Sequence, residues 1–91
     1  MPAARLRITG RVQGVGYRAW AIGAADRLGL RGWVRNRADG SVEALVIGGD
    51  DAVAAMIEAC HDGPFAARVS EVKVSEAEDD GSAGFRPLPT L

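Results

Sequence analysis

The residues most able to do chemistry in this sequence are gathered in Gly10-Arg11-Val12-Gln13-Gly14-Val15-Gly16-Tyr17-Arg18. This stretch leaves an alternating segment, turns through two closely spaced glycines and enters a helical segment. Gly14, Val15 and Gly16 stand where Ser, Thr, Asp or Asn would usually cap that helix. The first turn of a helix carries backbone N–H groups with no partner inside the helix, and the aligned peptide dipoles place about half a positive charge there. Arg18 adds a permanent charge and a planar fork of donors at the same place. Together these groups predict an oxyanion or phosphate cradle. A purely structural reading is equally open on local features alone, because glycines make tight strand-to-helix turns in any case.

What the chain lacks narrows the chemistry. His61 is the only histidine and Cys60 the only cysteine, and they are neighbours in sequence, so no zinc site can be completed and no metal is expected. Cys60 continues an apolar stripe and reads as core, and His61 is expected to meet the last carbonyls of its helix. The carboxylates fall in turns, at helix starts and in the acidic run 76–80, and nothing selects a general acid–base pair among them. The remaining tools are backbone N–H groups, an arginine and an amide side chain. Such groups stabilise negative charge and orient water without supplying a proton. They suit a reaction whose leaving group departs unprotonated, as a carboxylate does when a carboxyl–phosphate anhydride is hydrolysed. Gly14-Val15-Gly16-Tyr17-Arg18-Ala19 also satisfies the dinucleotide pattern G-x-G-x-x-G/A, but the chain has no room for a doubly wound parallel sheet.

The elements that must position these groups follow from periodicity. Leu6 and Ile8 alternate with Arg5, Arg7 and Thr9, which predicts a half-buried strand. Ala21, Ile22, Ala25 and Leu28 recur at helical spacing, so a helix is expected over 17–28, closed by Gly29. Strands are expected over 31–36 and 41–47, joined by a hairpin at Asp39-Gly40. After Gly48-Gly49, Asp50 or Asp51 is expected to cap a second helix carrying Val53, Met56, Ile57 and Cys60 on one face. A strand over 69–75 and a solvated acidic loop follow. A short fifth strand near Phe85 has room to form, and Pro87 and Pro89 would confine it to a sheet edge. This order predicts an α+β ferredoxin-like sandwich, βαββαβ with the extra edge strand, and two helices on one face of an antiparallel sheet.

The 91 residues are expected to form a single domain, 1–91, with one modest core. No apolar h-region opens the chain and no apolar run is long enough to span a membrane, so a cytoplasmic protein without membrane contact is expected. The net charge of −1 conceals an asymmetry: residues 1–37 hold eight arginines and one acid, and residues 38–91 hold three basic residues against eleven acids. Either the first half presents a positive field to small anions, or strands of both halves interleave and neutralise one another.

Two stretches carry a resemblance. Ile8 to Arg18 resembles the first acylphosphatase signature, G-x-V-Q-G-V-x-F/Y-R. Gly32-Trp33-Val34-Arg35-Asn36, followed by Gly40-Ser41-Val42 and Gly48, resembles the second, G-W-V-x-N-x-x-x-G-x-V-x-x-x-x-x-G. The resemblance implies a small monomeric enzyme that hydrolyses acyl phosphates to a carboxylate and inorganic phosphate, without metal or cofactor. It implies that Arg18 binds the phosphoryl group and that Asn36 orients the attacking water. It further implies that the backbone of Gln13, Gly14, Val15, Gly16, Tyr17 and Arg18 forms the phosphate loop. By itself Asn36 reads as a turn-entry residue. Tyr17 stands where phenylalanine is commoner in the family, a change expected to be tolerated on a ring that mainly packs. Trp20, one helical step beyond Arg18, is expected either to border the acyl group or to pack.

Two other functions compete with this one. Ferredoxin-like domains also bind RNA, but these strands lack the pair of aromatics that stacks bases, so no nucleic acid is expected. A domain serving carbamoyl phosphate in a maturation enzyme would belong to a far longer chain. A small-molecule acyl phosphate is therefore the expected partner.

Overall fold

The computed structural model describes residues 3–91. The elements are β1 (Ala3–Arg11), α1 (Tyr17–Arg27), β2 (Arg31–Asn36), β3 (Val42–Ile47), α2 (Asp50–Cys60), β4 (Arg68–Glu76) and β5 (Phe85–Pro87). The sheet runs β4-β1-β3-β2-β5. The neighbours β1–β3, β1–β4 and β2–β3 are antiparallel, as expected for this ferredoxin-like order. β5 pairs parallel to β2, so the sheet is mixed rather than wholly antiparallel. β5 does lie at an edge, where the missing N–H of Pro87 leaves no inner ladder bond unmade, and Pro89 falls beyond the strand.

Alternation sorts each inner strand. Leu6 and Ile8 of β1, Val34 of β2, and Val42, Ala44 and Val46 of β3 face the helices, where they bury Tyr17, Ala21, Ala24 and Ala25 of α1 and Val53, Met56 and Cys60 of α2. A smaller cluster on the other face gathers Ala3, Trp33, Leu45 and Ile47 beneath Ala77 and Leu88. The acidic side chains are exposed, as expected, but the segment does not hang free. It crosses this face and is pinned there, with Asp79 paired to Arg31 and the Trp33 indole N–H donating to Asp80 at 3.2 Å.

β4 extends one residue beyond the expected 69–75 at each end, and three other boundaries differ from expectation for local reasons. β3 begins at Val42, because the Ser41 N–H and hydroxyl both donate to Asp39 Oδ1, at 2.9 and 2.6 Å, and hold Ser41 in the turn. Helix α1 ends at Arg27, with Leu28 as its cap and Gly29 taking φ +70 beyond it. Helix α2 is capped by the extended Gly49, not by an aspartate; Asp50 and Asp51 sit in its first turn, where their charge complements the dipole.

Candidate active site

Between β1 and α1 the backbone turns through Gly14 at φ +74 and Gly16 at φ +82. A Cβ at either position would meet nothing within 4 Å, so conformation rather than space calls for glycine there. Gly16 is the N-cap of α1 and no side chain caps the helix. Its carbonyl accepts the first helical bond, from the Trp20 N–H at 3.0 Å, which leaves the N–H groups of the first turn without helical partners.

The loop and helix start line one side of an open cleft of about 390 Å³, with Gln13, Gly14, Gly16, Tyr17 and Arg18 on its wall. Asn36 lines the same cleft from the end of β2, and Val12, Ala19, Ile22 and Pro87 give it apolar surface. Of the residues expected in the phosphate loop, Val15 alone is absent from the lining; it packs against the core. The four apolar lining residues were not foreseen, because side chains at 12, 22 and 87 meet only in the folded molecule.

Arg18 is exposed and, among the described residues, has no ion-pair or hydrogen-bond partner. No carboxylate lines the cleft, so nothing there offsets its charge. The side-chain amide of Asn36 is likewise without a partner among the described residues, while its backbone is firmly held. Asn36 pairs with Val42 on one side, and its carbonyl accepts the Leu91 N–H at 3.1 Å on the other.

The link between the two halves of the site is the side chain of Gln13. Its Nε2 donates to the Arg37 carbonyl at 2.8 Å and to the Ser41 carbonyl at 2.9 Å. The amide thus ties the loop to the hairpin that follows Asn36. No sequence signal announces this contact, since its acceptors are carbonyls that every residue possesses.

Tyr17 does more than pack. Its hydroxyl donates to the Cys60 carbonyl at 2.6 Å, closing an orphan carbonyl at the end of α2, and burial pushes its phenol above the ordinary range. Trp20 meets the Tyr17 ring edge-on at 5.3 Å and does not line the cleft, which decides in favour of packing. Burial also pushes the Cys60 thiol up to about 11, so it stays protonated and inert. His61 Nδ1 lies 3.0 Å from the Ile57 carbonyl, as its position near the helix end predicts. Among the described residues no three His, Cys, Asp or Glu side chains gather as metal ligands.

Known proteins resemble this chain over nearly its whole length. A family model described as acylphosphatase matches residues 4–87. An acylphosphatase of Azoarcus sp. (strain BH72) is 58% identical over 90 residues, covering 99% of this chain and 92% of its own. The crystal structure of the Bacillus subtilis acylphosphatase superposes with a TM-score of 0.91 at 36% identity, covering 94% of this chain and 97% of that one. Full-length HypF, solved in a phosphate- and nucleotide-bound form, contains a similar region: TM-score 0.89 and 28% identity over 97% of this chain but only 12% of HypF. A family model that spans residues 4–87 and a relative more than half identical along almost the whole chain make this an enzyme of the acylphosphatase family.

Proposed function

We propose that the acylphosphatase activity of this chain runs through Arg18, Asn36 and the backbone of residues 13–18. The observation that carries this reading is the convergence of Arg18, the uncapped start of α1 and the Asn36 amide on one cleft without a carboxylate. The N–H groups of Gln13 to Arg18 and the Arg18 fork bind the phosphoryl oxygens, which remain anionic throughout. The Asn36 amide holds a water in line with the scissile P–O bond. The departing carboxylate lies over Val12, Ala19, Ile22 and Pro87, and it needs no protonation. The transition state is loose, so positioning and charge stabilisation supply most of the acceleration. With no protein base beside the water, the substrate's own phosphate accepts its proton.

The domain acts alone, as a cytoplasmic monomer on small acyl phosphates, without metal or cofactor. Supporting this, the exposed large apolar residues Phe65, Val74 and Leu91 lie in three separate segments, the loop before β4, β4 itself and the segment after β5, and the free Cys60 is buried.

Hydrolysis of a synthetic acyl phosphate, with and without a strong chelator, tests the reading. Arg18→Lys should lose on the order of a hundred- to a thousandfold in kcat/KM, since an ammonium cannot reproduce the planar two-point contact. Near-unchanged turnover by that variant would remove Arg18 from the mechanism. Loss on chelation that added metal restores would remove the metal-free scheme.

A further inference from the structure

The face of the sheet that carries no helix holds a second depression, larger than the cleft, of about 590 Å³. Its walls come from three strands and the hairpin: Arg5 and Arg7 on β1, Lys73 on β4, and Arg37 just past β2, with Glu43 of β3 at its floor. Register explains the gathering, because Arg7 lies opposite Glu43 on one side and Lys73 on the other, and Arg5 opposite Ser75. Glu43 is only 6% exposed and is already enclosed by guanidinium groups: Oε1 accepts from Arg35 Nε at 2.9 Å and Arg37 Nη1 at 3.1 Å, and Oε2 lies 3.5 Å from Arg5 Nη1. One carboxylate therefore serves three arginines, each of which keeps unused donors. Arg7 reaches only Asp39, at 3.7 Å, and Lys73 has no partner among the described residues.

We propose that this depression is a second anion site, which takes a small, multiply charged phosphate compound such as a chain of linked phosphates. The inference stands apart from the reading of the cleft. Four cations line the one depression, with Arg7 and Lys73 opposite each other on adjacent strands about 5 Å apart, Arg5 two residues along β1 and Arg37 beyond the end of β2, and they match several linked charges rather than one. The cleft differs in kind, with one arginine and backbone N–H groups arranged for a single phosphoryl group. A nucleic acid fits this face less well. Its one aromatic residue, Trp33, is buried, with the Arg35 guanidinium 4.7 Å and the Arg5 guanidinium 5.9 Å from its ring centre, so no bare ring is left to stack a base.

The test uses the whole chain and inorganic tripolyphosphate as the probe, with saturating orthophosphate in the cleft, read by calorimetry and backbone-amide NMR. Binding should shift the amides of Arg5, Arg7, Arg37 and Lys73. It should weaken at least about tenfold in the double variant Arg7→Gln, Lys73→Gln, while acyl phosphate hydrolysis stays unchanged. Lys73→Gln alone, on an exposed edge strand, should weaken binding about threefold and guards against a fold defect in the double variant. Shifts confined to residues 13–18, or equal affinity in wild type and both variants, would overturn the site. Tighter binding of single-stranded RNA than of tripolyphosphate would overturn the ligand class.

Discussion

Five of the eight arginines in residues 1–37 find a carboxylate in the folded molecule: Arg5, Arg7, Arg31, Arg35 and Arg37. Arg18, at the mouth of the cleft, finds none among the described residues, so its five donors remain for a ligand. Asn36 complements it, with a pinned backbone and an amide that has no partner among the described residues, as the proposed role of water holder requires. Asn36→Ala should lower kcat by about a hundred- to a thousandfold while the inhibition constant of orthophosphate barely moves. A large rise in that constant would make Asn36 a phosphate ligand instead. Tyr17 tests a different property. Tyr17→Phe removes the donor to a buried carbonyl and should reduce unfolding free energy by roughly 1–3 kcal/mol in a denaturant titration, with kcat little changed. The anion-ligand role proposed for Arg18 was legible in the sequence, because its charge and its place at a helix start are local facts. Asn36 was legible only through the pair of signatures, and the partner of the Tyr17 hydroxyl not at all.

Among the elements, the loop before α1 and the hairpin after β2 behave as one piece, because Gln13 bridges them. The remote segment 88–91 braces the same hairpin: the Leu88 N–H donates to the Val34 carbonyl at 2.9 Å, and the Leu91 carbonyl accepts the Ala38 N–H at 2.8 Å. Gln13→Ala should leave the fold intact, since the Arg37 carbonyl still accepts from Gly40 and the Ser41 carbonyl from Arg37. The loop and hairpin would then drift relative to one another, and kcat/KM should fall roughly tenfold, with faster amide exchange in both segments. Unchanged exchange would show the bridge to be idle. Periodicity located most helices and strands because burial favours one face of each, although β3 is buried on both faces and the three-residue β5 is too short to show a period. It could not give the direction of β5 or the docking of the acidic segment, since both depend on backbone groups and on where a long connection lands.

For the molecule as a whole, the opposite charges of the two halves meet because strands from both halves alternate across the sheet. Glu43 is the knot of this arrangement. Burial disfavours its charged form, yet hydrogen bonds from Arg35 and Arg37 outweigh that and hold its carboxyl below the ordinary 4.5. Asp39, hydrogen-bonded by Ser41, and Asp79, hydrogen-bonded by Arg31, are lowered as well. The folded state therefore binds these protons more weakly than the unfolded chain. Their contribution to stability is complete above about pH 4.5 and is lost as pH falls through the lowered folded values. Glu43→Gln should flatten the acid limb of a stability–pH curve, and an unaltered limb would place the acid sensitivity elsewhere. The strand order has one more effect, during synthesis. β1 lies at the interior of the sheet but is complete at Arg11, whereas its partners end at Ile47 and Glu76. At about 5–20 residues per second, Leu6 and Ile8 leave the ribosome several seconds before β4 can flank them. Both edges of this half-apolar strand stay open until β3 emerges, and one stays open until β4 does, which makes β1 the segment that a ribosome-associated chaperone has most reason to shield.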